Sequence, residues 1–192
     1  MALLIRTLLA TLLALAAALA AAGDARFMAL SYHEVLADDE PLTPTAVRAS
    51  DLARQFAWLQ ANDFHPVSVD QILAARADGP PLPPNAILLT FDDGKKDVYT
   101  RAFPLLTLFG YPAVIALVGK WMDAPPGQMV DYDGEPLPRS DFVTWEQVRE
   151  MQASGLIEVA SHSYDLHHGI IANPQGNTQP AATTRLYANG RY

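Results

Sequence analysis

The chain has 192 residues, of which 50% are hydrophobic and 18% are charged, a composition that excludes intrinsic disorder and suits one domain with its own core. The formal net charge of -8 argues against a nucleic-acid-binding surface, which would be basic. The chain has no cysteine, so disulfides and thiolate metal sites are excluded and any metal ligand must be His, Asp or Glu.

The first segment of the chain is typical of a secretory signal peptide. Arg6 precedes an apolar run over residues 8–22 that ends in small residues, and charge returns at Asp24. The alternative is a membrane anchor, but the run is shorter than the roughly 20 residues that span a bilayer. We therefore predict a signal peptide over residues 1–23, contact with the membrane only through this segment, and a mature chain that starts near Asp24 or Phe27 in the periplasm or at the cell surface.

Strand and helix patterns alternate along the rest of the chain. Continuous apolar runs, which indicate strands covered on both faces, predict strands at residues 27–32, 86–91, 112–118 and 156–160. Helical spacing and capping residues predict helices that begin after Ser50, Ser68, Lys96 and Thr144, with Gly110 and Gly155 ending the last two. The segment 121–141 and the polar tail are predicted to be loops. This order is typical of an α/β domain with a parallel sheet, whose sites form at the carboxyl ends of strands.

Polar clusters follow three of the predicted strands. They are Tyr32-His33-Glu34 after the first strand, Asp92-Asp93-Gly94 after the second, and SHSYDLHHG over residues 161–169 after the fourth. Four of the five histidines therefore lie at two strand ends. The fifth, His65, precedes a proline, and we predict a structural or surface role for it.

The spacing of His162 and His167 indicates a site in a turn. Residues five apart differ by about 140° on a helix and lie on opposite faces of a strand, so the two rings converge only if the chain turns after the strand. One Asp and two His residues are a common ligand set for a catalytic divalent ion. Of the adjacent Asp92 and Asp93, one can bind the metal while the other acts as general base. The alternative is an Asp-Gly turn with both carboxylates in water.

Two segments resemble the first two motifs of the polysaccharide deacetylases, the NodB-homology or carbohydrate esterase family 4 enzymes. They are LTFDDG at residues 89–94 and SHSYDLH at residues 161–167. SYHEV at residues 31–35 and the sequence around the second motif are similar to the subgroup that de-N-acetylates the exported poly-N-acetylglucosamine of biofilms. The resemblance covers nearly all of residues 27–192.

This resemblance implies a distorted (β/α) barrel and a role for each residue of the two motifs. It makes Asp92 the general base, and Asp93, His162 and His167 the ligands of a divalent metal, usually zinc, with nickel, cobalt or iron as alternatives. His33 is the expected general acid for the departing amine. Expected substrate-binding residues are Tyr32, Tyr164 and His168.

The chain departs from the family pattern after Gly169. A later Arg/Trp-Pro-Tyr motif, which helps to orient the base, has no counterpart there, and the glycoside-hydrolase-like second domain of relatives is absent from this sequence. We therefore expect residues 27–192 to be the N-terminal portion of a deacetylase domain. Its barrel is expected to be incomplete, with exposed strand edges that favour poor solubility or inactivity.

The expected function is metal-dependent hydrolysis of acetamide groups to amine and acetate on an exported polysaccharide, with the export machinery as a further partner. One alternative is a deacetylase of peptidoglycan or chitin oligomers, and another is a remnant that binds carbohydrate without turnover. A glycosidase is disfavoured because two adjacent Asp residues are poorly suited to flank a scissile bond. The sequence leaves the exact polymer, the metal and the oligomeric state open.

Overall fold

The computed structural model describes residues 26–191, so the predicted signal peptide lies outside the described residues. Its strands are β1 (Met28–Tyr32), β2 (Glu34–Leu36), β3 (Ala46–Arg48), β4 (His65–Pro66), β5 (Ala86–Phe91), β6 (Ala113–Leu117), β7 (Met129–Tyr132), β8 (Glu135–Pro138), β9 (Ile157–Ser161), β10 (Gly169–Ile171) and β11 (Thr178–Pro180). Its α-helices are α1 (Ala49–Ala61), α2 (Val69–Arg76), α3 (Phe103–Phe109), α4 (Gly119–Asp123) and α5 (Trp145–Ala153).

The helix ends show which capping signals the backbone uses. Ser68 and Thr144 form the predicted capping boxes, in which each hydroxyl accepts a hydrogen bond from the amide three residues on. The prediction that Ser50 caps α1 is wrong, because the helix begins after Arg48. Instead, the Asp38 carboxylate accepts a hydrogen bond of 3.1 Å from the Ser50 amide and places a negative charge at the positive end of the helix.

The predicted helix after the Asp-Asp-Gly motif consists of two parts. A π-helical turn, Val98–Ala102, runs directly into α3, and Pro104, which has no N–H to donate, lies just after the change from π-helix to α-helix. Gly110 ends α3 in the left-handed conformation, with φ of 67°. A π-helical turn beside a motif is a common feature of functional sites.

All neighbouring strands of the main sheet are parallel. Its order is β1–β5–β6–β9, and β4 pairs with the first two residues of β5. Within residues 26–191 the sheet stays open at β1 and β9, and the side chains of Met28 and Leu30 on β1 are exposed. The predicted fold class, an incomplete β/α barrel, is confirmed.

The core lies between the sheet and the helices and fixes the positions of the strand ends. β6 is buried along its whole length, and α1, α3 and α5 each contribute apolar side chains to the same cluster. Its largest fully buried members include Phe56, Phe91, Leu106, Ile115 and Met151. Burying a side chain of this size contributes about 1.5–3 kcal/mol, so the carboxyl ends of the strands are rigid supports for polar groups.

Two predicted loops contain regular structure. Residues 121–141 include the antiparallel hairpin β7–β8, and the polar tail contains β11, which pairs with β10. Within the described residues, no helix is both long enough and apolar enough to cross a bilayer.

Candidate metal centre

The three polar clusters at the strand ends converge because the backbone hydrogen bonds between neighbouring strands continue one residue past the ends of the strands. The Asp92 amide donates a hydrogen bond of 2.8 Å to the Tyr32 carbonyl, which joins the end of β5 to the end of β1. The His162 amide donates to the Leu117 carbonyl at 2.8 Å, which joins the end of β9 to the end of β6. The three predicted clusters therefore meet at one edge of the sheet.

The Asp92-Asp93-Gly94 segment is a tight turn that separates its two carboxylates. The Gly94 amide donates to the Asp92 carbonyl at 2.9 Å, and Asp93 has φ of 72°. An i to i+2 hydrogen bond around a residue with positive φ is the pattern of a γ-turn, a strained conformation that concentrates at functional sites. The side chain of Asp93 is buried, whereas Oδ2 of Asp92 accepts a hydrogen bond of 2.9 Å from the Ser31 hydroxyl.

The buried carboxylate faces two imidazoles. Oδ1 of Asp93 lies 3.6 Å from Nε2 of His162 and 3.1 Å from Nε2 of His167. One ligand atom from each residue lies within 4.8 Å of the other two. The chain turns directly after β9, where Ser163 has φ of 89°, and this turn brings together two histidines that neither a helix nor a strand could bring together.

The chemistry of this group fits a divalent cation. Oδ1 of Asp93 is buried without an assigned hydrogen-bond partner among residues 26–191, although Nε2 of His167 lies 3.1 Å from it. A buried oxygen left unpaired costs about 1–3 kcal/mol, so such atoms require an explanation. A cation bound by this oxygen and by both imidazoles would satisfy it, and histidine with carboxylate is a typical set for a divalent metal.

The ionisation of the Asp93 carboxylate is coupled to that of the His167 ring. Burial raises the pKa of Asp93, but the contact with His167 and the hydrogen bond from Tyr132 outweigh it and hold this pKa below its ordinary value. The contact with Asp93 raises the pKa of His167 against the effect of burial. A metal ion would therefore compete with the proton of His167 for the same position.

The hairpin β7–β8 contributes two groups that the sequence analysis missed. The Tyr132 hydroxyl donates a hydrogen bond of 2.7 Å to Oδ2 of Asp93, and Oδ1 of Asp133 lies 3.5 Å from Nδ1 of His167. Burial and the charge of Asp93 raise the pKa of Tyr132, which keeps its hydroxyl a donor. An Asp-Gly pair at residues 133–134, between two short segments that contain apolar residues, is a hairpin signal and could have revealed this element.

A buried lysine was also missed. Lys95 is only 9% exposed, and its Nζ lies 3.5 Å from Oε1 of Glu34 and 4.9 Å from the centre of the Tyr132 ring. The Lys95 ammonium group therefore packs between β2 and the hairpin, where it can stabilise the ring of Tyr132, whose hydroxyl binds Asp93.

His33, Tyr32 and His65 lie in different positions relative to the metal-ligand cluster. His33 is partly buried after β1, close enough for its charge to lower the pKa of Asp93. Tyr32 does not join the cluster, because its hydroxyl donates to Gln55 of α1 and its ring stacks on Phe91. His65 is exposed and pairs through its backbone with β5.

Two cavities flank the cluster. One of about 830 Å³ and one of about 670 Å³ share Asp131, His167 and His168 as lining residues. Tyr164 lines the smaller cavity, where its ring leaves no room for a side chain at Gly119. The cluster is therefore bordered by two cavities, both of which reach His167.

Residues 79–186 match the family described as polysaccharide deacetylase. The chain belongs to the polysaccharide deacetylase family. It is 45% identical over 161 residues to the poly-beta-1,6-N-acetyl-D-glucosamine N-deacetylase of Escherichia coli K12, an alignment that covers 84% of this chain and 24% of that protein.

Solved structures of the family share this fold. The de-N-acetylase from Aggregatibacter actinomycetemcomitans superposes with a TM-score of 0.80 at 42% identity, covering 86% of this chain and 65% of that one. The BpsB deacetylase domain from Bordetella bronchiseptica superposes with a TM-score of 0.75 at 46% identity, covering 88% and 68%. The chain thus spans most of a family deacetylase domain but about a quarter of the E. coli relative.

Proposed function

We propose that this chain carries the metal-dependent centre of an enzyme that hydrolyses the N-acetyl groups of an exported poly-N-acetylglucosamine to amine and acetate. The observation that carries the proposal is the buried, unpartnered Oδ1 of Asp93 facing Nε2 of both His162 and His167. The names of the relatives support the polymer, and membership of the family supports the reaction.

Asp93, His162 and His167 would hold the divalent ion. We propose zinc, with nickel, cobalt or iron as alternatives, because imidazole and carboxylate suit all four. When bound, such an ion supplies Lewis-acid chemistry that polarises an amide carbonyl and makes water more acidic.

Asp92 would take the proton of the attacking water. The hydrogen bond from Ser31 holds Oδ2 of Asp92, so Oδ1 is the oxygen proposed to receive this proton. His33, at the end of the neighbouring strand, would give a proton to the departing amine. Together the two residues move a proton from water to nitrogen, as hydrolysis of an amide requires.

The cavities on either side of His167 and His168 support a polymer as the substrate. A chain of sugars could extend into both, with Tyr164 and His168 as the proposed contacts. Tyr32 is proposed to act only indirectly, since its hydroxyl is already bonded to Gln55.

The proposal includes export. Residues 1–23 would direct the chain out of the cytoplasm, residues 27–192 would form part of the deacetylase domain, and the export machinery would be a partner. Cell fractionation with N-terminal sequencing tests this directly. The expected result is an extracytoplasmic chain that starts near Asp24 or Phe27, and a cytoplasmic chain that starts at Met1 would overturn it.

Release of acetate tests the reaction. The purified chain is incubated with zinc and with β-1,6-linked or β-1,4-linked N-acetylglucosamine oligomers, and acetate is measured. Faster release from the β-1,6-linked oligomer is expected. Preference for the β-1,4 linkage would favour the peptidoglycan or chitin alternative. Binding of metal and oligomer without any acetate would instead identify a carbohydrate-binding remnant.

A further inference from the structure

The hairpin β7–β8 is anchored at its base and reaches the metal centre with its tip. Val130 and Tyr132 pack with Trp121 and Phe142 in a small apolar cluster. The buried guanidinium of Arg139, just after β8, donates hydrogen bonds to the carbonyls of Phe142 and Met122. The tip is therefore held by packing and by hydrogen bonds, which lets its side chains keep fixed positions.

Tyr132 contacts one of the two oxygens of the Asp93 carboxylate. Its hydroxyl binds Oδ2 at 2.7 Å, and this leaves Oδ1 as the oxygen that faces His162 and His167. The two oxygens of Asp93 thus have separate partners. Without the hydroxyl, the carboxylate could rotate and present either oxygen to the imidazoles.

Asp133 lies beside His167 in the same way that Tyr132 lies beside Asp93. Nδ1 of His167 is buried without a hydrogen-bond partner in the described part of the chain, and Oδ1 of Asp133 lies 3.5 Å away. The ring is also held edge-on by Trp121, with ring centres 4.9 Å apart. A histidine that binds metal through Nε2 normally donates its Nδ1–H to a carboxylate or carbonyl, which fixes the tautomer and the orientation of the ring.

We propose that Tyr132 and Asp133 are positioning residues through which the β7–β8 hairpin orients Asp93 and His167 for metal binding. This inference rests on the proposed function, because it requires a metal at the centre. It assigns a role to a segment that lies outside both family motifs. The hairpin thereby acts on the metal through the ligands and leaves the coordination positions free for substrate.

The test compares zinc affinity and cobalt spectra among single variants of the purified chain. Tyr132→Phe keeps the ring and removes the hydroxyl, and Asp133→Asn keeps the shape and removes the charge. Each is expected to weaken zinc binding by about 10–100-fold, measured by competition with a chromophoric chelator. Each should also shift the visible absorption of the cobalt-substituted chain, which reports ligand geometry and does not depend on turnover.

Two matched controls separate positioning from general effects. Tyr99→Phe also removes a hydroxyl that donates to a carboxylate, that of Glu150, outside this centre. Glu135→Gln removes the same charge as Asp133→Asn from the same hairpin. Both are expected to keep the zinc affinity and the cobalt spectrum of the parent, with circular dichroism checking the fold of all four variants.

Three results would overturn the inference. Zinc affinities of the Tyr132 and Asp133 variants within about twofold of the parent would show that the hairpin does not position the ligands. Equal weakening in Glu135→Gln and Asp133→Asn would assign the effect to net charge alone. A parent chain that binds no zinc, cobalt, nickel or iron would remove the proposed metal centre itself, and this outcome is distinguishable from the other two.

Discussion

Nε2 of His167 lies 3.1 Å from Oδ1 of Asp93, although the two residues come from the ends of different strands. This contact is the central relationship of the site, because it pairs a buried negative charge with a ring whose pKa it raises. The same geometry suits a cation that displaces the proton. The site therefore has one position for which a metal and a proton compete.

Asp92→Asn tests the separation of base from ligand. The amide cannot accept the proton of water, and loss of a general base typically lowers kcat by about 10²–10⁴-fold. Zinc affinity should stay close to that of the parent, since Oδ2 of Asp92 contacts Ser31 and not the imidazoles. Acetate release and zinc titration of the same preparation check both expectations. Full activity of the variant would remove Asp92 from the mechanism.

Gly94→Ala tests the turn that positions the carboxylates. Gly94 has φ of 74°, and an added Cβ would lie 2.6 Å from Cδ2 of Leu117, whose carbonyl holds His162. Backbone strain of this kind costs about 1–3 kcal/mol, and the contact with Leu117 adds to it. Both a lower melting temperature and weaker zinc binding are expected.

The matched control for Gly94→Ala is Gly127→Ala. Gly127 also has positive φ, at 83°, but an added Cβ there would meet nothing within 4 Å among the described residues. The control should therefore report the cost of the backbone conformation alone and leave zinc affinity unchanged. Equal losses in the two variants would mean that the contact with Leu117 has no role.

The buried carboxyl group of Asp97 is expected to make the free energy of unfolding depend on pH. Its carboxyl group lies just beyond the motif with Oδ1 buried and unpaired within residues 26–191, and burial raises its pKa to about 7. The opposing influences are a hydrogen bond from the Val35 backbone and the positive charges of Lys95 and Arg101, while the charge of Glu34 adds to the rise.

The sign of this effect follows from proton binding. Between the unfolded pKa of about 3.9 and the folded pKa of about 7, the folded chain binds a proton at Asp97 and the unfolded chain does not. The contribution to the free energy of unfolding is therefore greatest below about pH 4 and decreases as the pH rises to about 7.

Asp97→Asn should remove this dependence. The variant is expected to exceed the parent in free energy of unfolding by about 2–4 kcal/mol at pH 8, and the difference should vanish near pH 4. Urea denaturation at pH 4, 6 and 8 measures it, with the exposed Asp39→Asn as a charge-matched control. A difference that stays constant across the three pH values would contradict the assignment.

The sequence predicted the parallel strands and the polar clusters at their ends, because long apolar runs and adjacent acids are local signals. It did not predict the hairpin, since the short strand at Met129–Tyr132 has only Val130 buried and an Asp-Gly turn is equally typical of a loop. Tyr32 was expected at the site, but alternation along β1 directs Ser31 toward Asp92 and Tyr32 toward α1. Which face of a strand meets the site depends on tertiary packing, and the sequence pattern alone does not fix it.

Zinc titration of the parent chain beside Asp93→Ala and His65→Ala tests the central claim most directly. The parent and the His65 variant are expected to bind a single equivalent of zinc, because His65 is exposed and outside the cluster. Asp93→Ala should lose this binding, since it removes the only carboxylate of the Asp/His/His group identified in the described chain. Unchanged zinc binding by Asp93→Ala would contradict the proposed metal centre.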